Sequence, residues 1–528
     1  MNHPDSLARL RLDTRFTDAL PADPLELARP RSVQGAAYSF CMPTPVAAPR
    51  LLAWSADCAA LLGLPATPDD AETFARVFAG NQLLDGSRPY ATCYGGHQFG
   101  QWAGQLGDGR ATMLGTVIAP DERRFEVQLK GAGLTPYSRH ADGRAVLRSS
   151  IREYLCSEAM HHLGIPTTRA LCLVDTGEDV IRDMFYDGRP RPERGAIVTR
   201  VAESFLRFGH YQLPAAREDL PLLKTLVDYT ITTHFPELGA PSKTVYLAWF
   251  REVCRRTALL MAHWLRVGFV HGVMNTDNLS VLGLTIDYGP YGWLDAFEPG
   301  FTPNTTDQGG RYAYAEQARV AGWNLSCLAN ALMPLVDDIP ALERCMDFYA
   351  DSFESAYLAM LRDKLGLPQQ GDQAEDFRLV SALFACFGAH DTDMTIFYRA
   401  LSRIDAHTSP ADAMALIEPA FYGEPADAAR AAFATWLADW QARLREAGES
   451  HDERMARMNA ANPWIIPRNW LAQNAIKAAE AGDLSVLERL MRAIREPYRE
   501  QPEFADLAAR RPDWARNEPG CSALSCSS

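Results

Sequence analysis

The stretch HGVMNTDNLSVLGLTIDYGPYGWLD, residues 271–295, breaks a part of the chain that is otherwise helical in its patterning. It mixes turn formers with a short apolar run, SVLGLTI, read as a strand, and carries three aspartates, Asp277, Asp287 and Asp295. Before it lie two long amphipathic segments, 222–235 and 244–267. After it, helical runs alternate with Pro-, Asp- and Gly-rich connectors from about 310 to 500, with no recognisable catalytic motif. One of these runs, Val320 to Val336, is uncharged but too short and too polar to span a bilayer, so it reads as a buried helix. Upstream the character changes. YATCYGGHQFGQWAGQLGDG, residues 90–109, is glycine-rich, and two strands follow at Ala111–Ile118 and Arg124–Lys130. In the second, Phe125, Val127 and Leu129 alternate with Glu126, Gln128 and Lys130, a period of two. A helix is expected over Val146–Leu163, where apolar residues recur every four positions until Gly164 and Pro166 stop it. Short strands at Ala170–Thr176 and Ala196–Val201 complete this half. A glycine-rich strand region, a helix, more strands and then helices around one polar loop is the layout of a bilobal kinase-like protein. The expected fold is α+β: a protein-kinase-like pair of lobes, the first strand-rich and the second helical, with additional C-terminal helices.

The chain has 528 residues, enough for three or four units of roughly 150 residues or for one enlarged two-lobed enzyme. The boundaries read as an N-terminal extension (1–80), a first lobe (81–215), a second lobe with the polar loop (216–345), a helical region (346–497) and a mobile tail (498–528). Hydrophobic residues make up 47% and charged residues 22%, which excludes wholesale disorder. With 52 basic and 66 acidic residues the formal charge is −14, which argues against a general nucleic-acid or anionic-membrane binder. Met1 to Pro24 has charges throughout and no apolar core, so no secretory leader is expected. The eleven cysteines include no C-x-x-C pair, which fits a reducing cytoplasm. Cys521 and Cys526 are the only near neighbours, and a mobile tail would let such a thiol reach distant partners.

Phosphate chemistry on a nucleotide needs a close-approaching backbone, fixed cations, a metal held by carboxylates, and a base. GQLGDGRA offers the first through Gly107 and Gly109, with Arg110 beside them. Lys130, bland as a solvated lysine, follows a glycine-rich strand pair, where it would meet phosphate. Glu153 on the next helix would pair with it, yet it falls opposite the Leu147/Ile151/Leu155 stripe, so exposure is its default reading. Arg200 and Arg207 flank VAESFL and offer planar forks to phosphate oxygens, although two arginines seven apart are often surface charge. The strongest constellation is Asp277–Asn278 followed by Asp287. Asn278 and Asp287 would meet across a hairpin as hard oxygen ligands, leaving Asp277 as the base. Asp277 as a ligand, or all of these as turn formers, are the alternatives. His271 reads as a structural histidine. No H-E-x-x-H, G-x-S-x-G or Walker A sequence occurs.

As an ordered set, five segments resemble the selenoprotein O family, whose bacterial members are protein adenylyltransferases with a pseudokinase fold. They are YGGHQFGQWAGQLGDGRA (94–111), QLKGAGLTPYSRHADGRAVLRSSIREYL (128–155), RVAESFLRFGH (200–210), HGVMNTDNLSVLGLTIDYGP (271–290) and NPWIIPRNWLAQNAI (462–476). The resemblance spans essentially the whole chain. It implies ATP contacts from Gly107, Gly109, Arg110, Lys130, Asp142, Gly143, Arg200 and Arg207, with Glu153 as partner to Lys130. It also implies Asp277 as base and Asn278 and Asp287 on Mg²⁺ or Mn²⁺. Two departures stand out. Protein kinases place their base two residues after the loop histidine, where this chain has Val273. Eukaryotic members carry selenocysteine near the C-terminus, where this chain ends SCSS with Cys526. The expected activity is transfer of AMP, or of UMP from UTP, to Ser, Thr or Tyr hydroxyls of protein substrates, with no nucleic acid or membrane involved. A γ-phosphate-transferring kinase and a non-catalytic ATP-binding scaffold are the competing readings. Lys130, Asn278 and Asp287 together disfavour the scaffold, which has no use for a metal site.

Overall fold

The computed structural model describes residues 5–184, 188–521 and 523–525. A nine-stranded antiparallel sheet organises the first two hundred residues. Its strands are β1 (Arg11–Asp13), β2 (Tyr38–Phe40), β3 (Arg50–Trp54) and β4 (Tyr90–Thr92), then, past a separate hairpin of β5 (Gly95–Gln98) and β6 (Gln101–Gln105), β7 (Ala111–Ile118), β8 (Arg124–Lys130), β9 (Ala145–Val146), β10 (Arg169–Arg182) and β11 (Arg191–Ala202). The order is β2-β4-β7-β8-β11-β10-β3, with β1 added on β7 and β9 on β11. The N-terminal eighty residues thus contribute three strands of the sheet.

β8 lies at the centre, with Lys130 opposite Ala111 on one side and Val198 on the other. Its period-two pattern separates two interiors rather than core from solvent. Phe125, Val127 and Leu129 pack with Phe74, Val77 and Phe78 of an N-terminal helix. Glu126, Gln128 and Lys130 point the other way and are also buried.

The helix Leu147–His162 crosses that second face, wedged between β10/β11 and the helices Asn469–Glu480 and Ser485–Ile494. It has no solvent side, and this overturns the default reading of Glu153 as exposed. Three of its charged residues are matched by opposite charges, Arg148 with Glu193, Glu158 with Arg169 and Glu153 with Lys130, while Arg152 donates to the Tyr291 carbonyl and lies over the Tyr291 ring. Burying a charge without such a partner would be strongly unfavourable.

The remainder is helical. Lys243–Val267 and Gln317–Val336 run through one large core, and the helices between residues 339 and 461 enclose a second. None of the described helices is long and apolar enough to cross a membrane. SVLGLTI is not a strand. Ser280 makes one bridge to Arg207 and Thr285 one to Thr167, with turns between. Its apolar residues Val281 and Ile286 are buried singly, so no second strand is needed to cover them.

The tail, expected to be mobile from its polarity, lies against the body in its described part. Leu524 is fully buried, and its amide and carbonyl bond Pro303 O and Thr305 N at 2.8 and 2.7 Å. Cys521 is buried as well, which pushes its thiol up to about 11. Cys526, the cysteine that stands where eukaryotic family members carry selenocysteine, lies outside the described residues.

Arg468 fastens the C-terminal region to the polar loop. Its guanidinium is 2.8 Å from Asp295 and 2.9 Å from Asp393, all three buried. Arg468→Ala would leave buried Asp393 without a cation and Asp295 with only Arg511 at 3.5 Å, so the variant should lose about 3–5 kcal/mol, seen as urea unfolding at lower concentration. Arg468→Met, which also removes the cation, should be destabilised as well, and wild-type stability in it would overturn the need for a cation between these carboxylates.

Candidate active site

Between the sheet and the polar loop lies a cavity of about 690 Å³ whose lining includes Arg110, Lys130, Arg200, Asp277, Asn278 and Asp287. Gly107, Gly109, Asp142 and Gly143 border it as well. Glu153 and Arg207 are not on its surface. They stand directly behind it, 2% and 1% exposed.

The centre is the Asp287 carboxylate. Arg200 and Arg207 each donate to one of its oxygens, and Lys130 Nζ is 4.0 Å away. Burial alone would raise its pKa, but the two guanidiniums and the ammonium hold it well below the usual carboxylate range. Asp287 sits at φ +55°, a left-handed conformation uncommon for a residue with a side chain. The surrounding charge fixes what the backbone does not prefer.

Each cation is held in turn. Lys130 Nζ is 2.5 Å from Glu153, and Arg200 contacts both Glu153 (3.1 Å) and Gln128 Oε1 (3.1 Å from Nε). Gln128 and Lys130 share the buried polar face of β8, which is how the strand's alternation builds the site. Burial lowers Lys130 to about 8, with Glu153 opposing the shift. Arg207 also donates to the Asp277 carbonyl at 2.8 Å, so one guanidinium ties Asp277 to Asp287. Three cations against two carboxylates leave this buried cluster positive inside a protein of charge −14.

Asp277 differs from Asp287. Burial raises it to about 6, with Arg207 only partly offsetting this. Its Oδ1 has no hydrogen-bond partner, and Oδ2 has only Gln98 Nε2 at 3.4 Å. Gly96 runs so close that a Cβ there would lie 2.6 Å from Oδ1. Asn278 donates Nδ2 to Val273 O at 2.9 Å, which leaves its amide oxygen without a protein partner among the described residues. His271 is structural, with Nε2 2.8 Å from Ile286 O and the ring stacked on Trp264.

The glycine-rich loop is shaped first by the protein itself. Gly107 has φ +107°, and a Cβ there would lie 2.5 Å from the Tyr137 ring. Asp108 Oδ2 accepts from Thr92 N and Oγ1, and Thr135 Oγ1 donates to Asp108 O at 2.7 Å. Asp142 is engaged by both guanidinium nitrogens of Arg182, at 2.7 and 2.8 Å, and Gly143 O accepts from Gly133 N. Arg110 lines the cavity half-buried with no ion pair among the described residues.

The donor set offers a divalent cation hard oxygens: the orphaned Asp277 Oδ1, the free oxygen of Asn278, and Asp287. Among the described residues no group of three His, Cys, Asp or Glu is placed to hold a metal unaided. Mg²⁺ takes one or two protein carboxylates and completes its shell with phosphate and water.

The sequence reading missed Gln98, Gln128 and Asn275. Gln128 was legible from its period-two relation to Lys130. Gln98 and Asn275 come together only through the β5–β6 hairpin, which carries no local signal.

Because Glu153 keeps Lys130 charged against burial, Glu153→Gln should move the Lys130 titration below its present value of about 8. The chain has only five lysines, so a ¹³C-lysine NMR titration would resolve it. An unchanged midpoint would mean that Asp287, not Glu153, sets the lysine's charge.

A buried carboxylate-bound cation cluster and a raised, unpartnered aspartate in one cavity are a site for a polyanion. Comparison with known proteins agrees. The family model described as protein adenylyltransferase SelO matches residues 27–495. A protein nucleotidyltransferase YdiU of Aromatoleum aromaticum is 55% identical over 528 residues, covering 99% of this chain and all of the relative. Its counterpart in Azoarcus sp. is 56% identical over 521 residues, 98% of this chain and 99% of the relative. That of Nitrosospira multiformis is 53% identical over 545 residues, 98% and 96%. Matches of this extent take in the strand-borne cations, the polar loop and the C-terminal helices together, and the chain belongs to the SelO family of protein adenylyltransferases, enzymes of nucleotidyl transfer.

Proposed function

We propose that the chain transfers AMP from ATP to Ser, Thr or Tyr hydroxyls of proteins, in a kinase-like cleft where the nucleotide lies inverted. The observation that carries this reading is the positive cluster of Lys130 and Arg200, backed by Arg207, sharing one cavity with Asp277. Lys130, Arg200 and the unpaired Arg110 grip the β- and γ-phosphates and leave the α-phosphorus open. Asp277 takes the proton of the acceptor hydroxyl, whose oxygen bonds the α-phosphorus as the bond to the bridging oxygen breaks. Pyrophosphate leaves with the charge that the cations stabilise. Mg²⁺ or Mn²⁺, held by Asn278 and Asp287, would neutralise phosphate charge when bound. Arg207 keeps Asp287 and Asp277 in register from behind. Because the cations address phosphates and not the base, UTP is a second donor. Val273, in the place of a kinase's aspartate, is apolar and supports this orientation over γ-phosphate transfer.

α-Labelled ATP should mark acceptor proteins and γ-labelled ATP should not, with Arg200→Ala lowering the rate about a hundredfold, on the order of 3 kcal/mol. Transfer of γ-label instead would make the protein a kinase.

The pH profile of kcat/KM, which reports the free enzyme, should be bell-shaped. The acid limb follows deprotonation of Asp277 near 6, and the alkaline limb loss of the Lys130 proton near 8. Asp277→Asn should abolish the acid limb and lower the rate by roughly 10²–10⁴. An acid limb that survives the substitution would assign the base elsewhere.

A further inference from the structure

The β5–β6 hairpin faces two ways. Its inner side is bonded to the polar loop: His97 N donates to Thr276 Oγ1 at 2.7 Å, and Phe99 N to Asn275 Oδ1 at 3.2 Å and Tyr312 OH at 2.9 Å. Its outer side shows aromatic surface. Among the described residues only three phenylalanine or tryptophan side chains are exposed, Phe99, Trp102 and Trp514, and the first two belong to this hairpin. Phe99 and Gln98 also line the cavity that holds Asp277.

These rings are part of a continuous patch. Trp102 lies 5.0 Å from the His97 ring, which meets Trp323 at 5.5 Å, and the Arg311 guanidinium sits 4.7 Å over Trp323. The Phe99 ring is 5.2 Å from Tyr312. Arg311 has no carboxylate partner among the described residues, and its Nε is buried without a hydrogen bond. Phe99 moreover sits at φ +50°, where a bulky side chain is an outlier, and its amide is held there by two oxygens, Asn275 Oδ1 and Tyr312 OH. Strain of this kind is maintained at sites that present a group to a ligand. An exposed aromatic pair with an arginine that lacks a carboxylate partner among the described residues is the composition of a protein-binding hot spot.

We infer that this patch docks the acceptor protein, in the form of a segment whose hydroxyl residue is flanked by apolar and acidic side chains. The apolar neighbours seat on Phe99 and Trp102, the carboxylate meets Arg311, and the hydroxyl enters beside Asp277. The same hairpin then holds both acceptor and base, since its inner face fixes residues 275–277. The inference rests on the proposed transfer to hydroxyls, and binding can be read apart from transfer.

Fluorescein-labelled Gly-Glu-Leu-Ser-Phe-Glu-Gly should bind the wild-type protein more tightly than Gly-Lys-Ala-Ser-Ala-Lys-Gly, measured by anisotropy. Trp102→Ala and Arg311→Glu should each weaken it about tenfold, and Arg311→Glu should favour the lysine peptide. ATP affinity should stay within about twofold for both variants, and in the transfer assay the peptide KM should rise while kcat holds. Equal binding of the two peptides, variants indistinguishable from wild type, or parallel loss of ATP affinity would overturn the assignment. So would a wild-type dimer in sedimentation that Trp102→Ala dissociates, since a second copy would then cover the patch. Selective peptide binding without any α-label transfer would uphold the surface and overturn the proposed reaction.

Discussion

The Asp287 carboxylate held between Arg200 and Arg207 is the constraint on which the rest of the site depends. Arg200 arrives on a central strand, Arg207 on the segment that follows it, and Asp287 at the end of the polar loop. The polar loop pairs with the Arg207 segment through one backbone bridge at Ser280, and ion pairing ties its Asp287 to both arginines. The guanidiniums themselves could not be buried alone. Arg200 needs Glu153 and Gln128, and Glu153 needs Lys130, so the requirement passes to the helix Leu147–His162 and to β8. Removing any one member would leave a buried charge unmatched, which is why such clusters are rigid even where their net stability is small.

Rigidity of this sort suits a site whose work is electrostatic. Cations already fixed by carboxylates do not need to reorganise when charge builds on a leaving group. The cost is that Arg200 reaches the cavity partly neutralised and Arg207 only stands behind it, so the positive potential there depends on Lys130 and on Arg110. Asp277 gains from the opposite treatment. With Oδ1 unpartnered and burial dominant, it stays a weaker acid than its neighbour ten residues on, and two aspartates of one loop acquire different acidities from surroundings alone.

How much of this was legible depended on whether the information was local. β7 and β8 were readable to the residue because alternation and flanking turns specify a strand, and the helix ending at Gly164 because a stop signal follows a four-residue repeat. Lys130, Arg200, Asp277 and Asp287 stood out through residue type and order. Helical geometry alone pointed Glu153 outward, although the family resemblance paired it with Lys130, the partner it has in the structure. A stripe opposite an apolar face reads as solvent-exposed unless another layer covers it, and here the helices at 469–494 do so from three hundred residues away. SVLGLTI was misjudged for the converse reason, since an apolar run can be buried residue by residue against existing cores without pairing.

The β5–β6 hairpin marks the limit of such reading. Its sequence, GGHQFGQW, shows glycines and nothing of what they serve. Gly96 is constrained by Asp277, about 180 residues downstream, which leaves no room for a Cβ. Phe99 is constrained by Asn275 and Tyr312. A glycine-rich stretch in such a protein invites assignment to phosphate, and Gly107 does border the cavity. Even so, its immediate contact is the Tyr137 ring. The glycines here first let protein approach protein, bringing the sheet, the hairpin and the polar loop within bonding distance; the space for a nucleotide is what that close packing leaves open.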